Sequence, residues 1–130
     1  MPPEQLRART RAFAVSVIRF YRRIPKTEEG RIIGRQLLKA GTSAGANYRA
    51  ACRPKSDADF ISKLGTAIEE VDESAFWMEV LVEAEVVNAA AVKDLYREAD
   101  ELTRIFVASR TTAQRNARIR ALRRKRDRQN

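Results

Sequence analysis

The sequence contains no histidine and only one cysteine, Cys52. The missing histidine excludes Ser-His and Cys-His nucleophile pairs, histidine-ligated zinc, and the Glu-x-x-His pair of di-iron bundles. A single cysteine forms no disulfide within the chain and holds no metal alone, so Cys52 reads as a small packed residue. Glycine and proline are scarce, 5 and 4 of 130 residues, and no long stretch alternates β-branched with polar residues. That composition excludes strand-rich folds and points to an all-helical protein. With no strands, no glycine-rich phosphate loop can follow one. No run approaches the ~20 apolar residues of a membrane span. The start, "MPPEQLRARTR", has no apolar segment behind its charges, so no secretory signal is expected and a cytoplasmic location is.

Charge is present in quantity but unevenly placed. The net charge is +9, from 26 Lys and Arg against 17 Asp and Glu. Residues 110–130 carry nine of the cations and one Asp, whereas residues 1–109 carry 17 cations and 16 acids. The expected division is therefore a near-neutral body over 1–109 and a basic C-terminal tail or helix extension over 110–130.

Four helices can be read along the chain. The first runs from about Glu4 to Arg23, with Phe13, Val17, Phe20 and Ile24 on one face, and Pro25 stops it. The second begins at the N-cap Thr27, with Glu28 and Glu29 in its favourable first turn, and runs to about Cys52 ahead of Pro54. The third begins at the N-cap Ser56, with Asp59 near capping-box position, and runs to about Val87. Its core stripe is Phe60, Leu64, Ala67, Val71, Ala75, Met78 and Val82. The fourth follows the N-cap Asn88, with Val92, Leu95, Ala99, Leu102 and Phe106 buried. Short connections between long amphipathic helices predict an antiparallel up-down-up-down four-helix bundle with a basic C-terminal extension.

The second helix has three faces on a helical wheel. Ile33, Leu37, Ala40, Ala44 and Ala51 form the core face. Arg31, Arg35, Lys39, Arg49 and Arg53 lie opposite. Between them lie Leu38, Gly41, Gly45, Tyr48 and Cys52, although two mid-helix glycines cost roughly 1 kcal/mol each relative to alanine. These glycines admit a close helix neighbour, either another subunit or a bulky residue of the same bundle. On the third helix, Trp77 falls on the side away from the predicted core, beside Lys63, Glu70 and Leu81. It reads as an interface anchor or as a flank half covered by its own bundle.

Little in the sequence suggests catalysis. Glu69, Glu70, Asp72 and Glu73 point in different directions around one helix and read as a solvated face with ion pairs. The expectation is a non-enzyme with no cofactor and no metal. Two basic features remain. One is the Arg31, Arg35, Lys39, Arg49, Arg53 stripe, read either as a phosphate-binding surface or as a solvated face paired with neighbouring acids. The other is the tail, Arg115, Arg118, Arg120, Arg123, Arg124, Lys125, Arg126 and Arg128, read either as a nucleic-acid arm or as a solvating disordered segment. It holds only Ile119 and Leu122 as large apolar residues, too few for a membrane-surface helix.

The ordered run Gln36-Leu37, Thr42-Ser43-Ala44-Gly45-Ala46-Asn47, Ser56-Asp57-Ala58-Asp59-Phe60, Glu69-Glu70 and Phe76-Trp77 resembles the four-helix-bundle proteins encoded in 23S rRNA intervening sequences. The resemblance spans about residues 10–109. It departs at Ala50, near where the family commonly has a glutamate, and in the long arginine tail. The resemblance implies a homo-oligomeric ring, a pentamer in characterised relatives, and supports the subunit reading of the Gly41 and Gly45 face. Through the accessory variability determinant protein of diversity-generating retroelements, it also implies nucleic-acid binding and a reverse-transcriptase partner. The expected function is thus an oligomeric, non-enzymatic bundle that binds RNA or DNA through phosphates. The alternative is a protein-interaction adaptor.

Overall fold

Three of the four helices begin at a side chain that caps them. The chain is described over all 130 residues by a computed structural model. Helix α1 (Pro3–Arg23) starts with proline in its first turn, and α2 (Glu28–Ala51), α3 (Asp57–Glu83) and α4 (Ala89–Gln129) follow. The Thr27 hydroxyl accepts from the Gly30 N–H, the Ser56 hydroxyl from Asp59 N–H, and Asn88 Oδ1 from Ala91 N–H, at 3.1, 3.0 and 2.9 Å. Each bond satisfies a donor that the first helical turn leaves without a partner. Asp59 departs from the capping-box expectation. Its carboxylate accepts from the Lys55 N–H at 2.9 Å, one residue before the cap, and pairs with Lys63 at 3.1 Å.

Helix α3 ends at Glu83, four residues earlier than the hydrophobic pattern predicts. Val86 N–H donates to the Leu81 carbonyl at 2.9 Å, and Glu85 N–H to the Val82 carbonyl at 3.0 Å. Glu85 takes φ 59°, the left-handed conformation this pair of bonds requires. Glycine or asparagine usually marks such a stop, and here a glutamate fills the position.

The helices pack in sequence order, α1 on α2, α2 on α3 and α3 on α4, with α1 and α4 meeting along a slimmer seam. The backbones of diagonal pairs stay apart, so the chain is the expected antiparallel four-helix bundle. Phe13, Val17, Leu37, Leu64, Val71, Met78, Leu81, Leu102 and Phe106 are fully buried at its centre. Burying each such large side chain contributes about 1.5–3 kcal/mol before entropy is counted. Tyr48 stacks on Phe106 with ring centroids 5.0 Å apart. The two buried polar side chains are satisfied locally: Thr10 donates to the Arg7 carbonyl and Ser74 to the Glu70 carbonyl.

An Arg9 clamp closes the α1–α4 seam. Its guanidinium donates to both carboxylate oxygens of Glu98, at 2.8 and 2.7 Å, and reaches Glu101 at 2.9 Å. These bonds, that to Glu98 first, hold the guanidinium pKa above its ordinary value.

The expected subunit face of α2 turns inward. A Cβ on Gly41 would lie 2.6 Å from Val17 Cγ2, and one on Gly45 would lie 3.2 Å from the Thr10 carbonyl oxygen. Tyr48 is only 4% exposed and belongs to the core. Gly41, Gly45 and Tyr48 therefore serve packing inside one chain, with Leu38 half-buried beside them. The helical wheel misassigned this face because α2 sits between α1 and α3 and buries two arcs rather than one.

The Trp77 stripe is likewise a flank. Leu81 is fully buried, Ser74 is buried too, and Trp77 is half-buried against the core, its Nε1 donating to Glu73 at 3.3 Å. The exposed aromatic is its neighbour Phe76, at 51% exposure, which meets Trp77 edge-on at 4.9 Å.

Candidate nucleic-acid interface

The basic residues are placed by the same close packing that buries the glycines. Thr42, Gly45 and Ala46 on α2 and Ala14 on α1 are small, so the surface dips where the two helices approach. The depression, about 530 Å³, is flanked by Arg7 and Arg11 from α1, by Arg49 from α2 and by Arg53 from the turn after it. Arg7 and Arg11 stand one turn apart on α1, at four-residue spacing, which keeps their guanidinium groups on one side, and Arg53 follows Arg49 just past the end of α2. No acidic residue lines the groove, and none of the four arginines takes part in an ion pair.

Farther along the same α1–α2 seam lies a second acid-free patch, formed by Arg22, Lys26, Arg31 and Arg35 with Tyr21, Ile24, Pro25 and Gly30. From Arg31 to Arg49 the helix rises about 27 Å, somewhat less than one turn of duplex nucleic acid. Unpaired guanidinium groups present planar N–H forks that suit phosphate oxygens. None of Arg31, Arg35, Lys39, Arg49 and Arg53 forms an ion pair with a neighbouring acid.

The predicted stripe is brought together only in part. Arg31 and Arg35 belong to one patch and Arg49 and Arg53 to the other. Lys39 leans the other way, close enough to α3 for its charge to act on Glu70. Burial first, and then Glu73, still raise the Glu70 pKa above the usual carboxylate range. Sequence reasoning missed Arg7, Arg11, Arg22 and Lys26. The first three share a helical face, and a wheel of α1 like the one drawn for α2 would have found them.

The tail residues are helical. Helix α4 runs without a break past Ser109, and Arg110, Ala113 and Ala117 remain half-buried against the bundle end. Arg120 is committed to a two-pronged pair with Asp57, at 2.9 and 2.8 Å. Arg115, Arg118, Arg123, Arg124, Lys125, Arg126 and Arg128 are exposed. Arg7 and Cys52 line both the α1–α2 groove and the open cleft beside Arg120, so tail and groove occupy the same end of the molecule. No helix is long and apolar enough to cross a membrane, and no cluster of three ligating side chains is placed to hold a metal ion.

Residues 5–108 match the family described as 23S rRNA-intervening sequence protein. The chain belongs to that family. A crystal structure of an S23 ribosomal protein family member of unknown function from Bacteroides thetaiotaomicron superposes with a TM-score of 0.79 at 27% identity. That likeness covers 85% of this chain and 99% of the other. No curated protein matches. Within this intervening-sequence family protein, the groove arginines lie inside the matched span, whereas residues 109–130 lie outside it.

Proposed function

We propose that this protein is a non-enzymatic helical bundle that binds RNA or DNA through phosphate contacts along the α1–α2 seam. The observation that carries the reading is the acid-free groove with four arginines, none engaged by another side chain. Arg31, Arg35, Arg22 and Lys26 extend the positive track, and the tail cations add affinity from the same end. Charge separation supports it too: α3 carries eight acids and one lysine, so anionic ligand is steered away from that side. No aromatic ring lines the groove, so base stacking is not part of the mode.

Fluorescence anisotropy with a structured RNA and a duplex DNA across a salt series tests this. Substituting Arg7, Arg11, Arg49 and Arg53 together with Gln leaves up to four phosphates without a cation. The slope of log affinity against log salt on duplex DNA should then flatten by roughly 0.9 for each of those phosphates. An unchanged slope and affinity would refute the groove as the site.

A second reading, a protein-interaction adaptor that assembles with copies of itself or recruits a partner such as a reverse transcriptase, draws on Phe76. An aromatic ring half in water on an acidic helix suits a protein contact better than a nucleic-acid one. Phe76→Ser should dissociate such an assembly in sedimentation velocity while leaving nucleic-acid affinity per chain unchanged. An unchanged sedimentation profile would count against this contact.

A further inference from the structure

Resting on the nucleic-acid reading above, we propose that the end of α4 is a duplex-DNA arm that enters the major groove. Helix α4 continues to Gln129, and Arg120 anchors its stem to Asp57 at the first residue of α3. Every residue from Ala121 to Asn130 is exposed. From Arg120 to Gln129 the axis rises about 14 Å, enough to reach across a major groove about 12 Å wide.

The distribution of charge around this helix decides the kind of surface it fits. Residues 118–128 hold seven cations, Arg118, Arg120, Arg123, Arg124, Lys125, Arg126 and Arg128, and one acid, Asp127. At about 100° per residue, the six of these not paired with Asp57 leave no gap wider than roughly 100° around the axis. A helix that lies on a membrane, or along the outside of a duplex, uses one side and leaves the other uncharged or acidic. A helix ringed by cations is matched by a site with phosphates on both walls. The major groove of B-form DNA is such a site and admits an α-helix about 10–12 Å across. The major groove of A-form RNA is deep and narrow and does not. Like charges four residues apart, Arg124 with Arg128, disfavour the helix in the absence of ligand. Phosphates on both sides relieve that repulsion.

The test uses the full chain with one short duplex sequence, made as DNA and as RNA. Arg123, Arg124, Arg126 and Arg128 are replaced together by Gln, and the groove variant serves in parallel. The tail substitutions should flatten the salt slope on DNA by roughly 3.6, from about 0.9 for each of four phosphates, and change the slope on RNA much less. The wild-type protein should protect guanine N7, a major-groove atom, from methylation. Equal losses on DNA and RNA, or DNA binding without N7 protection, would overturn the inference. If the groove variant abolishes binding while the tail variant changes neither slope nor protection, the groove reading stands and the arm fails. If the tail variant alone loses DNA, the arm stands and the groove reading fails.

Discussion

Replacing Gly41 with alanine should destabilise the protein, although the same change at Gly65 should stabilise it. Both glycines lie inside helices, where alanine is intrinsically better by about 1 kcal/mol. At Gly65 nothing opposes that gain, because a new Cβ would meet only Arg110 Nη1 at 3.9 Å. At Gly41 the Cβ would lie 2.6, 2.9 and 3.0 Å from Val17 Cγ2, Cγ1 and Cβ. Val17 is fully buried, and a valine in a helix has one strongly preferred rotamer, so it cannot swing aside. Overpacking of this kind costs about 1–3 kcal/mol, which leaves Gly41→Ala about 1 kcal/mol less stable than the wild type. The two variants should thus differ by about 2 kcal/mol, or about 1 M in urea midpoint for a slope near 2 kcal/mol/M. Urea unfolding followed by circular dichroism reads this directly. In a cycle with Val17→Ala, the pair should couple favourably by about 1–2 kcal/mol, because the smaller residue makes room for the new methyl. The reasoning is refuted if Gly41→Ala stabilises as Gly65→Ala does. It is refuted equally if Gly41→Ala changes only the oligomeric state, which would return this glycine to a subunit interface.

Glu85→Gly removes a left-handed non-glycine residue from the end of α3 and should raise stability by about 1 kcal/mol, a few degrees in thermal midpoint. Arg9→Ala takes away the clamp on Glu98 and Glu101 and should cost about 1–2 kcal/mol, since the pairs are only partly shielded. Hydrogen exchange should quicken first along the α1–α4 seam. Two carboxylates give opposite pH signatures. Asp59, held below its ordinary pKa by the Lys55 N–H and then by Lys63, contributes stability above the ordinary carboxylate range and loses it as pH falls through its lowered pKa. Asp59→Asn should flatten the acid limb of the stability profile. Glu70, raised by burial and by Glu73, disfavours the folded state when ionised, so Glu70→Gln should stabilise near neutral pH and lose that advantage in acid.

The fold was largely legible because capping and period are local signals. Thr27, Ser56 and Asn88 each announce a helix start by the chemistry of one side chain. Phe13, Val17, Phe20 and Ile24 mark a single buried face. The glycine face of α2 was not legible, because a wheel identifies a small-residue face but not its neighbour. A further cue lay in the 4-7-4 spacing of Gly30, Gly34, Gly41 and Gly45, a continuous small ridge that all turns toward α1 or the connection after it. The stop at Glu85 was invisible since its residue type argues against the conformation it adopts. At the candidate site, one of the two groove walls was legible. Arg49 and Arg53 came from the α2 stripe, while Arg7 and Arg11 required knowing that α1 lies beside it.

These placements give the molecule two electrical sides: a cationic α1–α2 seam that continues into the α4 extension, and an acidic α3. Ultraviolet crosslinking of bound RNA and DNA to the full-length protein, with the attached peptides identified by mass spectrometry, tests this division most directly. The account predicts crosslinks on α1 around Arg7 and Arg11 and at the end of α2 around Arg49 and Arg53, with further ones on α4 beyond Arg120 chiefly when the ligand is DNA. The outer face of α3 around Phe76 should stay free. Crosslinks concentrated on α3, or spread evenly over all four helices, would contradict it.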